Sequence, residues 1–351
     1  DERQALRRRG RREVTDAASL VEPLPGVHVR RLGADDSFAT LSIRGSSSSQ
    51  VAVYLAGVPL SGGADPTLDL ATLPLWPGSG VRVHRTFAPA ALGRGSLGGT
   101  LVLEAPSARA PARTEVWTAV GSFGARRLRI GDVHVGPGDV RIASGLSASR
   151  SDDDFSYLDP GATAAAGRDV FTARQNAGHA AAAGLVSIAV PLRVGRGEGA
   201  LTTTALAQAR RQELPGGARF LTPSQRLESS RLLSSIELTL PVGAGAIGAR
   251  AWGRREGLAL EDDPRSARST LGASSTDDAI VAAGASAGWR GPIGEDARIE
   301  LRLDGSAERF APGSWTGARP PPGARRASAG AALDATARLR ATTLAASCRL
   351  D

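Results

Sequence analysis

The sequence predicts a small α+β domain followed by antiparallel strands of a transmembrane β-barrel. Residues 14–105 hold one helical apolar pattern and several short apolar runs joined by Gly and Pro. From about Thr114 onward apolar and polar residues alternate with period two over roughly eight to twelve residues at a time, as strands with one apolar and one polar face do. Compact turn signals alternate there with long polar stretches, which is how barrel strands are joined.

The N-terminal elements follow from local chemistry. Val14, Ala17, Ala18 and Val21 fall at helical spacing, with Thr15 or Asp16 as the cap, so residues 14–24 predict a short helix. Pro23 and Pro25 stop it, and Gly26 allows the turn that follows. Val51, Val53 and Leu55 alternate with Ala52 and Tyr54, and Ala56-Gly57 turns the chain into Val58 and Leu60, so this is a hairpin. Val81 and Val83 alternate with Arg82 and His84, and Leu101 and Leu103 with Thr100 and Val102, giving two more strands.

In the second half, Val140, Ile142, Leu146 and Ala148 share one parity. The runs Val186 to Val194, Ile236 to Val242 and Ile299 to Leu303 alternate cleanly. Short turns are expected at Pro137-Gly138-Asp139, 195–199, 243–246 and 291–296, and long polar loops at 149–174, 211–228, 255–278 and 304–326. Trp117, Trp252 and Trp289 are candidates for an interfacial aromatic belt.

Composition adds less. The formal charge is +8, and all 43 basic residues are Arg. They look scattered along the chain except for the run Arg7 to Arg12, which reads as a solvated leader, so no nucleic-acid partner is expected. Cys348 is the lone cysteine, which excludes an internal disulfide. No apolar run of about 18 residues exists to form a transmembrane helix.

Four phrases occur in order: Leu24-Pro25-Gly26-Val27, Ile43-Arg44-Gly45 before the apolar hairpin with Gly57, Val81 to Arg85, and Leu92-Gly93 running through Gly98 and Gly99 to Leu103. In these the chain resembles the plug domain of TonB-dependent outer-membrane receptors, most nearly the cobalamin and siderophore receptors. The resemblance departs from the family where Ala56 replaces an Asp and Thr86-Phe87 replaces Gly-Pro. No TonB box and no first plug strand are recognisable, so the chain is expected to begin inside the plug. The resemblance implies a plug over residues 1–107 and a partial transmembrane β-barrel over 108–351. That barrel has about ten or eleven strands, about half of a 22-stranded barrel.

The resemblance further implies energised uptake of a scarce ligand, a siderophore-metal chelate or cobalamin. It implies a bacterial outer-membrane location, contact with outer-membrane lipid and a periplasmic TonB-type energy transducer. The alternative is a non-transporting outer-membrane β-barrel adhesin or structural surface protein. Segments 31–40 and 59–69 are expected to face the ligand, with Arg31, Gly33, Asp35, Asp36, Ser61 and Asp65 as candidate contacts. Arg44 is expected to be buried at the wall between plug and barrel, paired with a carboxylate.

Catalytic readings fail. Residues 93–98 match GxGxxG but precede a strand where a dinucleotide site would open a helix, and no P-loop lysine, HExxH or GxSxG is present. The four histidines show no ligand spacing, so no enzyme and no cofactor is expected. Asp152, Asp153 and Asp154, and likewise residues 261–263, are acidic loop clusters that could hold calcium through oxygen ligands.

Overall fold

The computed structural model describes residues 2–5, 16–32, 37–62, 67–85, 92, 97–108, 110–159, 170–195, 197–217, 220–262, 275–316, 320–339 and 342–351. Helix α1, Ala17–Val21, is capped by Asp16, whose carboxylate accepts the Ser19 N–H at 2.7 Å while the Ser19 hydroxyl accepts from Asp16 N. The expected helix is thus confirmed in position and confined to five residues, with Ala17, Ala18, Leu20 and Val21 buried. Strands β2 (Val27–Arg31) and β3 (Ala39–Ile43) form a separate antiparallel hairpin.

Beside it, β4 (Val51–Leu55), β5 (Val58–Pro59), β6 (Gly80–His84) and β7 (Gly99–Glu104) build a small mixed sheet in which β4 and β7 run parallel. Its far edge is β1, Glu2–Ala5, antiparallel to β6. This corrects the expectation that no strand precedes the helix. Residues 2–5 carry one apolar side chain and no alternation, so only backbone pairing with β6 marks them as strand. Inside, Leu20, Ile43, Leu55, Leu60, Leu70, Trp76, Val81 and Leu101 are fully buried.

The rest is one antiparallel sheet of 11 strands in which every neighbour is the next strand in sequence, once the small loop hairpins are set aside. Its members are β8 (Arg113–Val120), β9 (Arg126–Val135), β10 (Arg141–Ser151), β13 (His179–Val194), β14 (Gly197–Glu213) and β17 (Arg226–Val242). They continue as β18 (Gly245–Glu261), β19 (Ser275–Ile293), β20 (Ala297–Thr316), β21 (Ala324–Leu339) and β22 (Thr342–Leu350). The hairpins β11 (Ser156–Asp159) with β12 (Val170–Ala173), and β15 (Gly216–Gly217) with β16 (Phe220–Leu221), stand in the loops.

Short turns join β9–β10, β13–β14, β17–β18 and β19–β20 at one end. Gly138, Gly195, Gly243 and Gly294 take positive φ in them, which L side chains rarely adopt. The strands reach further into the polar stretches than the sequence suggested. Residues 304–316, expected as loop, belong to β20, because Glu308 and Arg309 alternate between the two faces like the residues before them.

The two faces are opposite in character. Arg250 and Arg254 of β18 touch the N-terminal domain, so their parity defines the inner face. Carried across by register, that face holds Glu237, Arg231, Gln208, Arg210, Arg302 and Glu308. The outer face holds Val186, Leu232, Ile236, Ile247, Val281, Leu301 and Leu303, all solvent-exposed apolar side chains. A sheet with its polar face inside and its apolar face outside is arranged for a lipid exterior.

Candidate functional site

The N-terminal domain sits against the inner face, and the contact between them is the candidate site. Inner-face arginines donate to backbone carbonyls across it: Arg250 Nη1 to Gly57 O at 3.3 Å, Arg210 Nη1 to Ala71 O at 3.2 Å, and Arg254 Nη1 to Leu60 O. Gln208 donates likewise to Thr72 O. These guanidinium groups are held in place by neighbours on the wall. Arg254 pairs with Glu308 at 2.5 Å, Arg250 pairs with Glu237, and Arg210 donates to Gln212 Oε1 at 2.5 Å. An arginine can serve a carboxylate and a carbonyl at once because its donors fan out in one plane.

Close packing completes the contact. Trp76 is fully buried and lies over Gly145 of β10, where an added Cβ would stand 2.6 Å from Trp76 Cδ1. An added Cβ on Gly57, already at φ +79°, would meet the Arg250 guanidinium at 2.6 Å. Leu185, Leu206 and Leu233 point inward and join the apolar core of the N-terminal domain. Two carboxylates in that domain differ sharply. Burial works to raise Asp16, but the bidentate Arg31 hydrogen bonds at 2.5 and 2.8 Å and the Ser19 N–H outweigh it and hold the carboxyl below its usual range. Asp69 accepts the Ala39 and Ala71 N–H groups, each at 2.9 Å, yet burial wins and pushes it up.

The expected contacts fare unevenly. Gly33, Asp35, Asp36, Asp65 and Gly93 lie outside the described residues. Arg31 is committed to Asp16. Ser61 Oγ accepts from Val53 N at 2.9 Å and also lines a cleft with Tyr54, Arg250, Trp252, Asp304 and Glu308. Leu60 meets Arg254, and Gly62 stands beside Glu308, further along the wall toward the long loops. The β2–β3 hairpin reaches the same end through Ala39, Asp69 and Ala71 to Arg210, near the loop end of β14.

Arg44 is a correction. It is exposed, at φ +52°, in a turn with Gly45, and no carboxylate pairs with it among the described residues. The wall contact expected of it is made instead by Arg210, Arg250 and Arg254, from the sheet side. Pro25 and Gly26 are exposed in the turn after α1, with half-buried Arg85 beside Gly26. Gly98 and Gly99 pack against Ser46 and the His84 carbonyl, where no side chain fits. Trp117 and Trp252 are also corrected. Both face inward, Trp252 onto the core and Trp117 beneath Arg129, and only Trp289 of the three faces out.

Among the described residues no three His, Cys, Asp or Glu side chains converge as metal ligands. Asp153 is engaged by Ser151 at 2.7 Å and by His179 at 3.4 Å, and Asp152 by Arg150 at 3.3 Å. Sequence reading missed Asn176, whose side-chain amide donates to Leu214, Thr222 and Gln225 carbonyls and so ties two neighbouring long loops together.

Residues 2–100 match the family model "TonB-dependent Receptor Plug Domain". No curated protein matches the chain. Among solved structures, it is similar to the FrpB iron transporter from Neisseria meningitidis (F5-1 variant), at TM-score 0.71 and 12% identity over 96% of this chain and 56% of that one. It is similar to the copper transporter OprC, at TM-score 0.69 and 15% identity over 95% and 51%. A mutant of the ferric enterobactin receptor PfeA from Pseudomonas aeruginosa gives TM-score 0.65 and 12% identity over 96% and 58%. The chain therefore spans about half the length of these structures. Residues 2–100 are therefore a TonB-dependent receptor plug domain, seated on the inner face of an 11-stranded sheet.

Proposed function

We propose that the full-length protein is a TonB-dependent transporter of the bacterial outer membrane that takes up a scarce metal chelate, of the siderophore or cobalamin kind. The observation that carries this reading is the mode of seating. The plug is held to the wall by side chains that reach its backbone carbonyls, a set of discrete polar contacts that can be broken and remade. A plug that moves needs an energy source, and the family supplies it through a TonB-type transducer in the periplasm. An adhesin has no use for a seated plug, so the alternative reading is not favoured. The division into a plug over 1–107 and a barrel part over 108–351 belongs to the same proposal, as does the absence of catalysis.

The ligand would enter from the long-loop end, where the plug segments around Leu32, Phe38, Ser61 and Gly62 lie. Leu32 and Phe38 are exposed there, and exposed apolar side chains suit a hydrophobic chelate shell. Replacing residues 32–38 with Gly and Ser, while keeping the structural Arg31, should weaken chelate binding and leave membrane assembly intact. Calcium at Asp152 to Asp154 would order the adjacent loop.

The deciding experiment is uptake of labelled ferric siderophores, copper and cobalamin by cells with and without the gene and the transducer. Uptake should require both. Transducer-independent uptake, or recovery of the protein as a water-soluble monomer, overturns the proposal.

A further inference from the structure

A cleft of about 240 Å³ lies between the plug hairpin β4–β5 and the inner face of β18 to β21. Ser49, Ala52, Tyr54 and Ser61 form its plug side. Its wall side carries Arg250, Arg254, Arg302 and Arg326, with the carboxylates Asp304 and Glu308.

These charges do not cancel once their partners are assigned. Glu308 is engaged by Arg254 at 2.5 Å, and Asp304 by Arg349 of β22 at 2.8 and 3.0 Å. Arg250 is engaged by Glu237. Arg302 and Arg326 are left over. Neither makes an ion pair among the described residues. Arg302 donates to the Ser286 hydroxyl, and its Nε is buried with no partner. Glu300 follows Arg302 on the same face toward the short turns and does not line the cleft.

Seating the plug does not explain the pair. The carbonyls of the plug are held by Arg210, Arg250 and Arg254, and neither Arg302 nor Arg326 joins them. Withdrawing a guanidinium from water without a carboxylate is costly. A wall position that only fills space takes a small side chain, as Ala282 and Ser286 do in the same cleft.

The two arginines stand at its two ends. Arg326 is exposed opposite Glu308, on the long-loop side. Arg302 is half-buried, about 20 Å further along β20 toward the short turns at the rise of a strand. Between them the Ser306 and Ser328 hydroxyls meet at 2.9 Å.

We infer that this cleft takes an oxyanion, a carboxylate or phosphate arm of the transported ligand, which meets Arg326 first and is held deeper by Arg302. Planar guanidinium groups bind both anions by paired N–H donors, and the serine hydroxyls supply donors between them. The volume sets the size of the occupant. Whole ligand sites begin at about 300 Å³, so the cleft admits a charged arm and not an entire chelate. The inference rests on the transport reading and narrows it to acidic ligands. A neutral chelate or a bare metal cation gains nothing from two unpaired arginines.

The test uses the full-length protein in detergent. Trp252 lines the cleft, so the emission of the wild type minus that of Trp252→Phe reports on it. At constant ionic strength, iodide should quench that emission about fivefold better than caesium, because a cleft of one sign concentrates the opposite ion. Citrate should protect it from iodide at about tenfold lower concentration than inorganic phosphate, since a larger acid reaches more of the donors. R302Q/R326Q should lose both the iodide preference and the citrate protection. R302K/R326K keeps the charge and should keep the iodide preference. Equal quenching by the two ions in a folded wild type, or an unchanged preference in the Gln variant, overturns the cleft as an anion site. Protection by phosphate as strong as by citrate overturns the ligand arm as its occupant and leaves a free anion. Transducer-independent uptake with the iodide preference intact overturns the transport reading alone.

Discussion

The plug and the wall use the same period-two alternation with opposite meaning. In β3 of the plug, Ala39, Leu41 and Ile43 are buried while Thr40 and Ser42 lie nearer the surface. In β20 of the wall, Leu301 and Leu303 are exposed, while Arg302 and Asp304 turn inward. A strand's pattern says that two environments exist on its two sides and does not say which is water. The difference teaches that the wall's inside is built like a polar surface and that the plug completes it.

The largest effect should come from breaking the contact where the two regions meet. Trp76 is part of the plug core and rests on Gly145 of the wall. Trp76→Ala should cost about 3–5 kcal/mol, as large aromatic truncations in cores do. Gly145→Val should do comparable harm from the other side by pushing the indole away. Urea unfolding of the full-length protein in detergent, with protease release of the plug as the readout, would check both. A small change for Trp76→Ala would mean the plug is not seated on this strand.

Next comes the test of what the wall faces. Leu303 is 66% exposed, and on a water-facing sheet Leu303→Arg would change little. In lipid the same change should cost about 2–4 kcal/mol if Leu303 is near the midplane. Folding titrations in lipid vesicles measure it, and a neutral outcome would reverse the assignment of the two faces.

Much of this was legible in the sequence, and the residues show why the rest was not. Strands, short turns and the hairpin at Ala56-Gly57 depend on neighbours along the chain, so they could be read directly. The facing of Trp252 was also available, because it shares parity with Arg250 and Arg254, but aromatic belts suggested the opposite. Strand β1 could not be read, since its four residues owe their conformation to β6. Arg31 finds Asp16 across 15 residues, and Arg210 finds Ala71 across 139, so no local pattern announces either contact.

The two plug carboxylates sharpen the comparison by pH. Asp16 has a lowered pKa in the folded chain, so its contribution is present above the unfolded value of about 3.8 and is lost as pH falls through the folded value. Asp16→Asn should therefore cost about 1–3 kcal/mol at pH 7, with the gap to wild type closing below about pH 4. Asp69 has the opposite sign. Its folded pKa is raised, so ionisation costs stability as pH rises through that value. Asp69→Asn keeps an oxygen for the Ala39 and Ala71 N–H groups and should be neutral or stabilising at pH 7. Denaturation midpoints of the two variants between pH 3 and 7 should diverge, and parallel curves would contradict the assignment.

The smallest effect lies at the hairpin tip, where plug and wall touch. Ala56 and Gly57 both have positive φ, +51° and +79°. Glycine suits its place twice over, since the Arg250 guanidinium occupies the space a Cβ would need. Alanine does not suit its place. An L residue with a Cβ pays about 1–2 kcal/mol in the left-handed region, and Asn or Asp pays less because its side chain bonds locally. The family's usual Asp at this turn fits that rule. Ala56→Asn should therefore stabilise the plug by about 0.5–1 kcal/mol, whereas Gly57→Ala should destabilise it and loosen Arg250 from the Gly57 carbonyl. Thermal unfolding in detergent reads the first change, and hydrogen exchange at the β4–β5 hairpin reads the second. If both substitutions destabilised equally, the wall contact would dominate the tip and the backbone strain at Ala56 would be immaterial.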